Sequence, residues 1–374
     1  MILTEFDKEV QDMAEKWLKE RVAPVCAEYD ANHEFPQNLY DEMVDLGYNA
    51  IAVPEEYGGP GLTNVQQCLI AEMFGKYEPG LGSAVGVNQS NTHLMNMFGT
   101  EEQKKYFFDF VLKGWTGFCL TEPGAGSDSA AGRTTAVLDG DDYVINGTKC
   151  FITNGAIADC FLVFASIDRS LGTKGITCFM VERNREGVSI GKTEDKMGIR
   201  LSVTTEVIFQ DVRVPKDHLI GEPGKGFKIA MATLDMSRLE VGAMGTGLAM
   251  RCLEEAVNYA KTRVQFGKPI AALYAIQEKI ADIGIDVEST HQLVMHAAEL
   301  IDAKLPYNRI TCMAKCHGAD IANRCATEAL QIFGGYGYMK EYPMEKMFRD
   351  AKILQIYEGT CEIQRLVIAG TYLR

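Results

Sequence analysis

The pattern of hydrophobic and polar positions divides the chain into three successive regions. From Ile2 to about Lys113, apolar residues recur at the spacing of amphipathic helices. Near one face of the predicted first helix lie Phe6, Val10, Met13, Trp17 and Val22. Turn residues interrupt the region at 54–61 (Pro-Glu-Glu-Tyr-Gly-Gly-Pro-Gly), and Thr100, followed by two glutamates, predicts the start of another helix. The first region is therefore predicted to be helical.

The middle region, from about Gly114 to Gly221, has the residue pattern of a β-domain. The runs 143–145, 161–164, 176–181 and 205–209 are rich in β-branched and aromatic residues and alternate with Gly, Asp and Asn. Residues 139–142 (Asp-Gly-Asp-Asp) separate two such runs and predict a hairpin turn.

Long helical periodicity returns from about Phe227 to Arg374. Residues 250–262, 275–303 and 311–333 each predict an amphipathic helix, and their length and small residues favour packing into a bundle. The order of the regions predicts an α+β multidomain fold. We expect a helical domain at 1–115, a β-domain at 116–222 and a helical bundle domain at 223–374.

Composition and charge narrow the function classes. The net charge of −14 argues against a nucleic-acid partner, which would need a positive surface. The 11 cysteines include no CxxC pair, so neither a zinc ribbon nor a dithiol motif is expected, and no metal site is predicted. Free thiols suggest a reducing compartment, and no signal peptide or apolar run of about 18 residues is evident. We therefore expect a bacterial cytoplasmic protein without membrane insertion.

A glycine-rich segment, 120–128 (Leu-Thr-Glu-Pro-Gly-Ala-Gly-Ser-Asp), follows an apolar run that ends at Cys119. Its glycines and hydroxyls can bring backbone N–H groups and side-chain donors close to a flat or anionic ligand, which favours a cofactor wall. A strand-ending turn would explain the same residues. The spacing matches neither the dinucleotide fingerprint nor the phosphate-binding loop.

Three segments of the last region each allow a binding and a structural interpretation. Asp235 and Arg238 could face a ligand or form a surface ion pair. Arg263 stands where a helix ends, so it could contact a phosphate or cap the helix. The glycines of 331–337 (Gln-Ile-Phe-Gly-Gly-Tyr-Gly) permit close backbone approach and could equally end a helix.

Glu358 is the strongest candidate for chemistry. It lies between two helical patterns and is flanked by Tyr357 and Gly359. A carboxylate beside an aromatic residue and a glycine can be held partly desolvated, which raises its pKa and suits it to removing a proton. The alternative is a glutamate at a helix start near Thr360.

Taken together, in this order and at these separations, the segments resemble the acyl-CoA dehydrogenase family. The resemblance covers nearly the whole chain and depends most on 121–127 and 356–360 (Ile-Tyr-Glu-Gly-Thr). It is closest to short-chain and butyryl-CoA dehydrogenases and related bacterial enoyl-CoA reductases. It implies an N-terminal helical domain, a middle β-barrel or sandwich domain, a C-terminal four-helix bundle, bound FAD and a homotetramer.

The resemblance also implies roles for single residues. Glu358 would be the catalytic base, and Phe151 stands in the flavin-contacting segment where several members have Trp. The substrate-binding residues would be Ser127, Asp235, Arg238 and Gly359. The residues implied to bind FAD are Phe118, Leu120, Thr121, Gly126, Ser127, Phe151, Ile152, Thr153, Arg263, Gln265, Phe266, Gln331, Ile332, Gly334, Gly335, Thr360 and Glu362.

The implied reaction is removal of the α-proton of an acyl-CoA by Glu358 while the β-hydrogen passes to the flavin. The Glu358 backbone N–H and a ribityl hydroxyl of the flavin would donate to the thioester carbonyl. Some relatives carry the base at the position of Ser237; serine there leaves Glu358 as the base. Electrons would pass to an electron-transfer flavoprotein, and the same site run in reverse would reduce an enoyl-CoA.

Two other functions are compatible with these motifs, and the sequence differs from the family pattern at two places. An oxygen-using oxidase or monooxygenase of the same fold, or an acyl-CoA-binding scaffold without turnover, would share most of these motifs. Tyr274 replaces the glutamine that many members have near FAD. The run 88–93 (Asn-Gln-Ser-Asn-Thr-His) is polar for an acyl pocket, which indicates either a polar, aromatic or cyclic acyl tail or a solvated helix start.

Overall fold

The computed structural model describes residues 2–373. Six α-helices form the N-terminal part and eight strands the middle part, and helices dominate again from Gly226 onward. The first helices are α1 Glu5–Trp17, α2 Cys26–Asn32, α3 Gln37–Asp45, α4 Asn64–Tyr77, α5 Pro79–Phe98 and α6 Glu101–Lys113. The strands are β1 Trp115–Cys119, β2 Thr135–Asp139, β3 Asp142–Thr153, β4 Ala158–Ser166, β5 Ile176–Glu182, β6 Val188–Thr193, β7 Thr204–Pro215 and β8 Leu219–Ile220. The last part contains α7 Gly226–Thr262, β9 Val264–Gln265, β10 Lys268–Pro269, α8 Tyr274–Asp302, α9 Asn308–Phe333, α10 Met344–Ile353 and α11 Cys361–Tyr372.

The first helix buries part of the expected face. Trp17 and Val22 are buried as predicted, but Phe6 and Met13 are 55% and 69% exposed. Asp7 and Ala14 are buried on α1 together with Trp17. The buried Asp7 carboxylate accepts from the Thr4 backbone N–H, as part of a capping box, and from the Gln66 amide.

Two other sequence expectations at helix starts have opposite outcomes. Thr100 caps α6, and its side chain accepts from the Gln103 backbone N–H, as predicted. The interpretation of 88–93 as a solvated helix start is wrong. The helix begins at Pro79, with Glu78 as its cap, and Asn88 to Thr92 are buried. Two of these residues bond to the segment around β1: Asn88 donates to the backbone carbonyl of Gly114 and accepts from the Thr116 backbone N–H, and the Asn91 amide donates to the Thr116 hydroxyl. The Asn91 side-chain oxygen has no hydrogen-bond partner among the described residues.

The middle part folds into one sheet with the strand order β6-β7-β3-β2-β4-β5-β8, and β1 lies parallel to β4. The predicted hairpin is present, since β2 ends at Asp139 and β3 begins at Asp142. Strands β2 and β4 meet through one residue pair, Thr135 with Ser166, so the sheet divides into two halves. Side chains of both halves share one core, including Ile145, Phe161, Val207 and Phe209, which gives sandwich-like packing.

The helix α7 is longer than its sequence pattern indicates. It runs from Gly226 to Thr262, whereas periodicity predicts only 250–262. Its first part is rich in glycine, a poor helix former, because there it packs against α4 and α9 without intervening side chains. A Cβ on Gly247 would lie 1.8 Å from the Glu72 carbonyl oxygen, and one on Gly245 would lie 2.4 Å from the Gly318 carbonyl oxygen. Buried residues of α4, α7, α8 and α9 form one continuous core.

The close approach of α7 and α4 is testable with a single methyl group. Gly247→Ala forces the two backbones apart, and we expect it to lower the free energy of unfolding by about 1–3 kcal/mol or more. Gly284→Ala in α8 is the matched control, because its methyl would meet no heavy atom of residues 2–373 within 4 Å beyond its own helix. The control should stabilise by about 0.5–1 kcal/mol, since alanine replaces a helical glycine. Urea unfolding midpoints measure both changes; equal midpoints for the two variants would contradict the packing.

Within residues 2–373, no helix is long and apolar enough to cross a membrane. The same part of the chain contains no group of three or more His, Cys, Asp or Glu side chains that could hold a metal ion.

Candidate active site

Glu358 lies in the loop between α10 and α11, in a sharp turn of the backbone. Its φ is 54°, and Gly359 follows with a φ of 81°, so two consecutive residues are left-handed. A glutamate rarely adopts this conformation, and it persists only where the surroundings hold it. Thr360 caps α11 by accepting from the Ile363 backbone N–H at 3.3 Å. Glu358 therefore precedes the helix rather than starting it.

Two buried side chains hold this turn. The Nζ of Lys315, on α9, donates to the Gly359 carbonyl oxygen at 2.7 Å. The amide of Gln364, on α11, donates to the carbonyl oxygens of Glu358 at 3.2 Å and of Gly359 at 3.1 Å. Lys315 is fully buried, and burial lowers its pKa. The backbone conformation of Glu358 is thus fixed by contacts from two separate helices.

The Glu358 side chain is half-buried and lines a small cavity. Burial raises its pKa, while the Ser237 hydroxyl partly offsets this by donating to Oε2 at 2.8 Å. The positive charges of Arg238 and Lys315 act in the same direction as Ser237. A carboxylate with a raised pKa, held by one hydrogen bond and strained backbone, is suited to accept a proton from a weak carbon acid.

The cavity beside Glu358 is a narrow space between α5 and α7. Its volume is about 40 Å³, room for a few atoms. Thr153, at the end of β3, reaches it from the middle part of the chain. The lining residues are Ser83, Gly86, Val87, Ser90, Thr153, Ser237, Glu240, Val241, Met244, Tyr357 and Glu358. Such a cavity can take a short, mostly apolar group with its reacting carbon beside Glu358.

Of the residues singled out from the sequence, this cavity brings together Ser90 of the polar run 88–93, Thr153, Tyr357 and Glu358, with Ser237 as the hydrogen-bond partner of Glu358. The motif search missed the other side chains of α7 that face it, Glu240, Val241 and Met244. The signal that could have found them is helical spacing, because positions three, four and seven residues after Ser237 lie on the same face.

The interpretation of Asp235 and Arg238 as a surface ion pair is wrong. Arg238 is 4% exposed, and its Nη1 donates to Asp235 Oδ1 at 2.5 Å. Asn308 donates to the other oxygen of Asp235, and Arg238 also contacts the Cys312 sulfur at 3.3 Å. The pair is held against the start of α9, and its two residues stand on either side of Ser237 in the sequence. The positive charge of Arg238 acts on Glu358 and lowers its pKa.

The segment 118–127 forms a tight turn fixed to β3. Glu122 and Ala125 exchange backbone hydrogen bonds of 3.2 and 3.0 Å. The buried Lys149 donates to the Leu120 carbonyl at 3.1 Å and to the Glu122 carboxylate at 2.7 Å. The strand-ending turn is therefore real, and it leaves Gly126 and Ser127 exposed.

Phe151 gives this edge of the sheet an exposed apolar surface. Its side chain is 64% exposed, and its φ is 57°. Ile152, the next residue, is buried in the sheet core at 2% exposure, so only its backbone faces the same edge as Phe151 and Thr153. Phe118, Leu120 and Thr121 are partly exposed nearby on β1 and the turn that follows it. The edge is open to a flat ligand, and Thr153 connects it to the Glu358 cavity.

A second exposed surface combines the hairpin after α7 with the glycine segment after α9. The Arg263 guanidinium stacks over the Tyr336 ring at 5.2 Å, which brings the two segments together. Phe266 is 89% exposed with a φ of 53°, and Gln265, Gln331, Gly334 and Gly335 are also exposed. Ile332 is an exception, because its side chain is buried in the helical core. None of these residues lines the Glu358 cavity.

The role of Lys315 in holding the turn is testable by stability. Lys315→Met keeps the side-chain length but removes one of the two side-chain hydrogen bonds to the Gly359 carbonyl, and a hydrogen bond from a charged donor contributes about 1.5–3 kcal/mol. We expect a lower urea unfolding midpoint and faster amide hydrogen exchange at residues 358–360. Lys352→Met, on the exposed face of α10, is the control and should change neither quantity appreciably. Unchanged exchange in Lys315→Met would show that the turn does not depend on this bond.

Comparison with known proteins gives a consistent result across the chain. Residues 4–114, 117–212 and 224–373 match the models of the acyl-CoA dehydrogenase N-terminal, middle and C-terminal domains. The chain is similar to butyryl-CoA dehydrogenase of Megasphaera elsdenii, with 41% identity, a TM-score of 0.98 and complete coverage of both chains. It is also similar to a solved structure described as the electron transferring flavoprotein of Acidaminococcus fermentans. There the identity is 44% and the TM-score 0.97, over 100% of this chain and 99% of the other.

Among curated relatives, the chain is 42% identical to acryloyl-CoA reductase (NADH) of Anaerotignum propionicum. The match covers 100% of this chain and 95% of that protein. The expected three-part architecture, with helical first and last domains and a sheet domain between them, is the architecture of these proteins.

Proposed function

The chain belongs to the acyl-CoA dehydrogenase family of oxidoreductases, and we propose that Glu358 is the base that removes the α-proton of a short acyl-CoA. The observation that carries this is the half-buried Glu358 carboxyl, held by Ser237 at 2.8 Å beside a small cavity. Burial raises its pKa, which brings the carboxylate closer to the strength needed to accept a proton from carbon. The small cavity, about 40 Å³, supports a short acyl group.

We propose FAD as the cofactor. The residues present fit a flavin: exposed Phe151 and partly exposed Thr121 and Thr153 border an open edge that a flat ring system could cover. Gly124 and Gly126 leave open space beside that edge, since a Cβ on either would meet nothing within 4 Å. When bound, the flavin supplies the two-electron acceptor for the β-hydrogen. The chain supplies the remaining elements, namely proton acceptance at Glu358, exclusion of water by the cavity walls and orientation of the substrate.

The remaining site residues of the proposal divide between substrate and cofactor. Ser127, Asp235, Arg238 and Gly359 would contact the CoA thioester side, and the Glu358 backbone N–H would donate to the thioester carbonyl. The exposed surface at Arg263–Phe266 and 331–335, together with Thr360 and Glu362, would contact the ADP half of FAD across a subunit boundary. The 89% exposure of Phe266 supports a homotetramer in which a neighbour covers it.

We propose that the protein exchanges electrons with an electron-transfer flavoprotein and works in the bacterial cytoplasm. The resemblance to the Acidaminococcus fermentans structure supports such a partner. Acryloyl-CoA reductase among the relatives supports the reverse reaction, reduction of a short enoyl-CoA, as the second candidate. Both directions use Glu358, as proton acceptor in one and as proton donor in the other.

The base assignment is tested by anaerobic addition of butyryl-CoA to the flavin-loaded protein. Wild-type protein should lose its flavin absorbance, whereas Glu358→Gln should lose it at least about 10²–10⁴-fold more slowly while keeping the cofactor. Glu186→Gln, an exposed carboxylate in the middle part, is the matched control and should bleach normally. Bleaching of Glu358→Gln at the wild-type rate would make the base assignment wrong. Rapid oxygen consumption by the wild type in air would favour an oxidase.

Ser237 should tune the pH dependence of the reaction. Its hydroxyl stabilises the Glu358 carboxylate and so lowers the pKa of that group. Ser237→Ala removes this stabilisation, and the pKa of Glu358 should rise further. Since the base acts only when deprotonated, the acidic limb of the kcat/KM profile should move to higher pH, with the largest loss of rate at low pH. Ser237→Thr, which keeps the hydroxyl, should restore the wild-type profile; an unshifted limb in Ser237→Ala would contradict the coupling.

A further inference from the structure

A second buried acid lines the cavity, and the proposed reaction does not use it. Glu240 lies on α7 one turn after Ser237 and is 6% exposed. The charge that acts on it most is that of Glu358, another acid. Burial and this repulsion raise the pKa of Glu240 well above its ordinary value. An acid in an acyl cavity needs a polar partner, because an unpaired buried carboxyl is costly.

The partner on the protein side is Gln89, on α5. The oxygen end of the Gln89 amide lies 3.0 and 3.2 Å from the two carboxyl oxygens of Glu240. Two arrangements relieve this oxygen–oxygen contact. Either the amide rotates so that its nitrogen donates to an ionised Glu240, or Glu240 is protonated and donates to the amide oxygen. Gln67 and His93, which are hydrogen-bonded to each other next to Gln89, decide between an ionised and a protonated Glu240.

The donor and acceptor roles along this chain of hydrogen bonds are fixed at the end farthest from Glu240, by the Leu62 carbonyl. The backbone carbonyl of Leu62 can only accept, so the Gln67 nitrogen faces it at 2.6 Å and the Gln67 oxygen faces inward. That oxygen lies 3.0 Å from His93 Nε2 and accepts from the Gln89 nitrogen at 3.4 Å. Burial lowers the pKa of His93 to about 4, so the neutral ring uses its one N–H here. Rotating the Gln89 amide would place its oxygen against the Gln67 oxygen, where neither atom can donate. With Glu240 protonated, each group in the chain of hydrogen bonds has a partner of the right kind.

A protonated Glu240 keeps one oxygen free to accept a hydrogen bond. The oxygen nearer to Gln89, Oε2, also lies next to Gly86, where a Cβ would be 2.7 Å away. Either oxygen can carry the proton that is donated to Gln89, since both lie within 3.2 Å of the amide oxygen. Because Glu240 lines the cavity, the other oxygen is the carbonyl acceptor that it offers to a ligand. Ser237 and Glu240 are one helical turn apart, about 5–6 Å between their Cβ atoms, so this acceptor meets an acyl chain beyond the carbons that react at Glu358.

We propose that Glu240 is a specificity-determining residue that, as a neutral acid, accepts a hydrogen bond from a hydroxyl on the distal carbon of a short acyl-CoA. This inference rests on the proposed function, because it takes the cavity beside Glu358 as the acyl site. A hydroxyl is the group that fits, since it donates without bringing a charge. An ammonium group would instead require Glu240 to ionise and would break the hydrogen-bond chain through Gln89.

The experiment compares butyryl-CoA, 4-hydroxybutyryl-CoA and 4-aminobutyryl-CoA as ligands of flavin-loaded Glu358→Gln protein. Isothermal titration calorimetry measures binding rather than turnover, and it gives a dissociation constant for each thioester in a background whose turnover is expected to be at least about 10²–10⁴-fold slower. We expect 4-hydroxybutyryl-CoA to bind about tenfold more tightly than butyryl-CoA, the value of one good hydrogen bond. Adding Glu240→Leu should abolish the preference or reverse it, whereas adding Glu240→Gln, which keeps a neutral acceptor, should retain it.

Two results would overturn the inference. An unchanged hydroxybutyryl-to-butyryl ratio in Glu240→Leu would make Glu240 a packing residue only. Tightest binding of 4-aminobutyryl-CoA, lost in Glu240→Gln, would make it an ionised carboxylate that recognises an amine. Failure of the proposed function is seen separately, as absence of bleaching by any of the three thioesters in protein that carries Glu358.

Discussion

The contact between the backbones of α7, α4 and α9 is the constraint on which the rest of the site depends. Where Gly247 meets Glu72 and Gly245 meets Gly318, no side chain separates the helices. This close contact limits how far α7 can rotate about its axis, because rotation would bring its side chains against the backbones of α4 and α9. The rotation places Ser237 and Glu240 on the face toward α5 and the loop of Glu358. A helix separated by ordinary side chains would have more freedom to turn these groups away.

The cavity brings together two acids whose surroundings differ. Burial raises the pKa of Glu358, whereas the Ser237 hydroxyl and the positive charges of Arg238 and Lys315 favour its ionised form. Glu240 comes from the helix itself and meets an amide whose oxygen faces it, which favours the protonated form. When two acids share a low-dielectric cavity, ionisation of one opposes ionisation of the other. Under the proposed function, these surroundings suit Glu358 to act as the base and Glu240 to act as a neutral hydrogen-bonding group.

The sequence was sufficient for the order of the domains, the hairpin at 139–142, the cap at Thr100 and the loop position of Glu358, because each depends on local pattern or turn chemistry. It was insufficient where tertiary contacts override local preference. The glycines of α7 lower its helix propensity, and only the neighbouring helices explain why the helix starts at Gly226. The polar run 88–93 looks solvated until Asn88 is seen bonded to Gly114 and Thr116. Arg238 looked exposed for the same reason, since the Cys312 sulfur that it contacts lies on another helix, α9.

Thr153 shows how the domains combine into one site. It ends β3, two residues after the exposed and strained Phe151, and it also lines the cavity between α5 and α7. A ligand on the open sheet edge and a ligand in the helical cavity would therefore meet at this residue, beside Glu358. Asn154, the next residue, is fully buried and donates to the carbonyls of Ala84 and Thr116, which fixes the strand end to α5 and β1. The Asn154 hydrogen bonds thus fix the position of Thr153, where the sheet edge and the helical cavity meet. The glycine packing of α7 fixes the position of Ser237 and Glu240 on the other side of the same cavity.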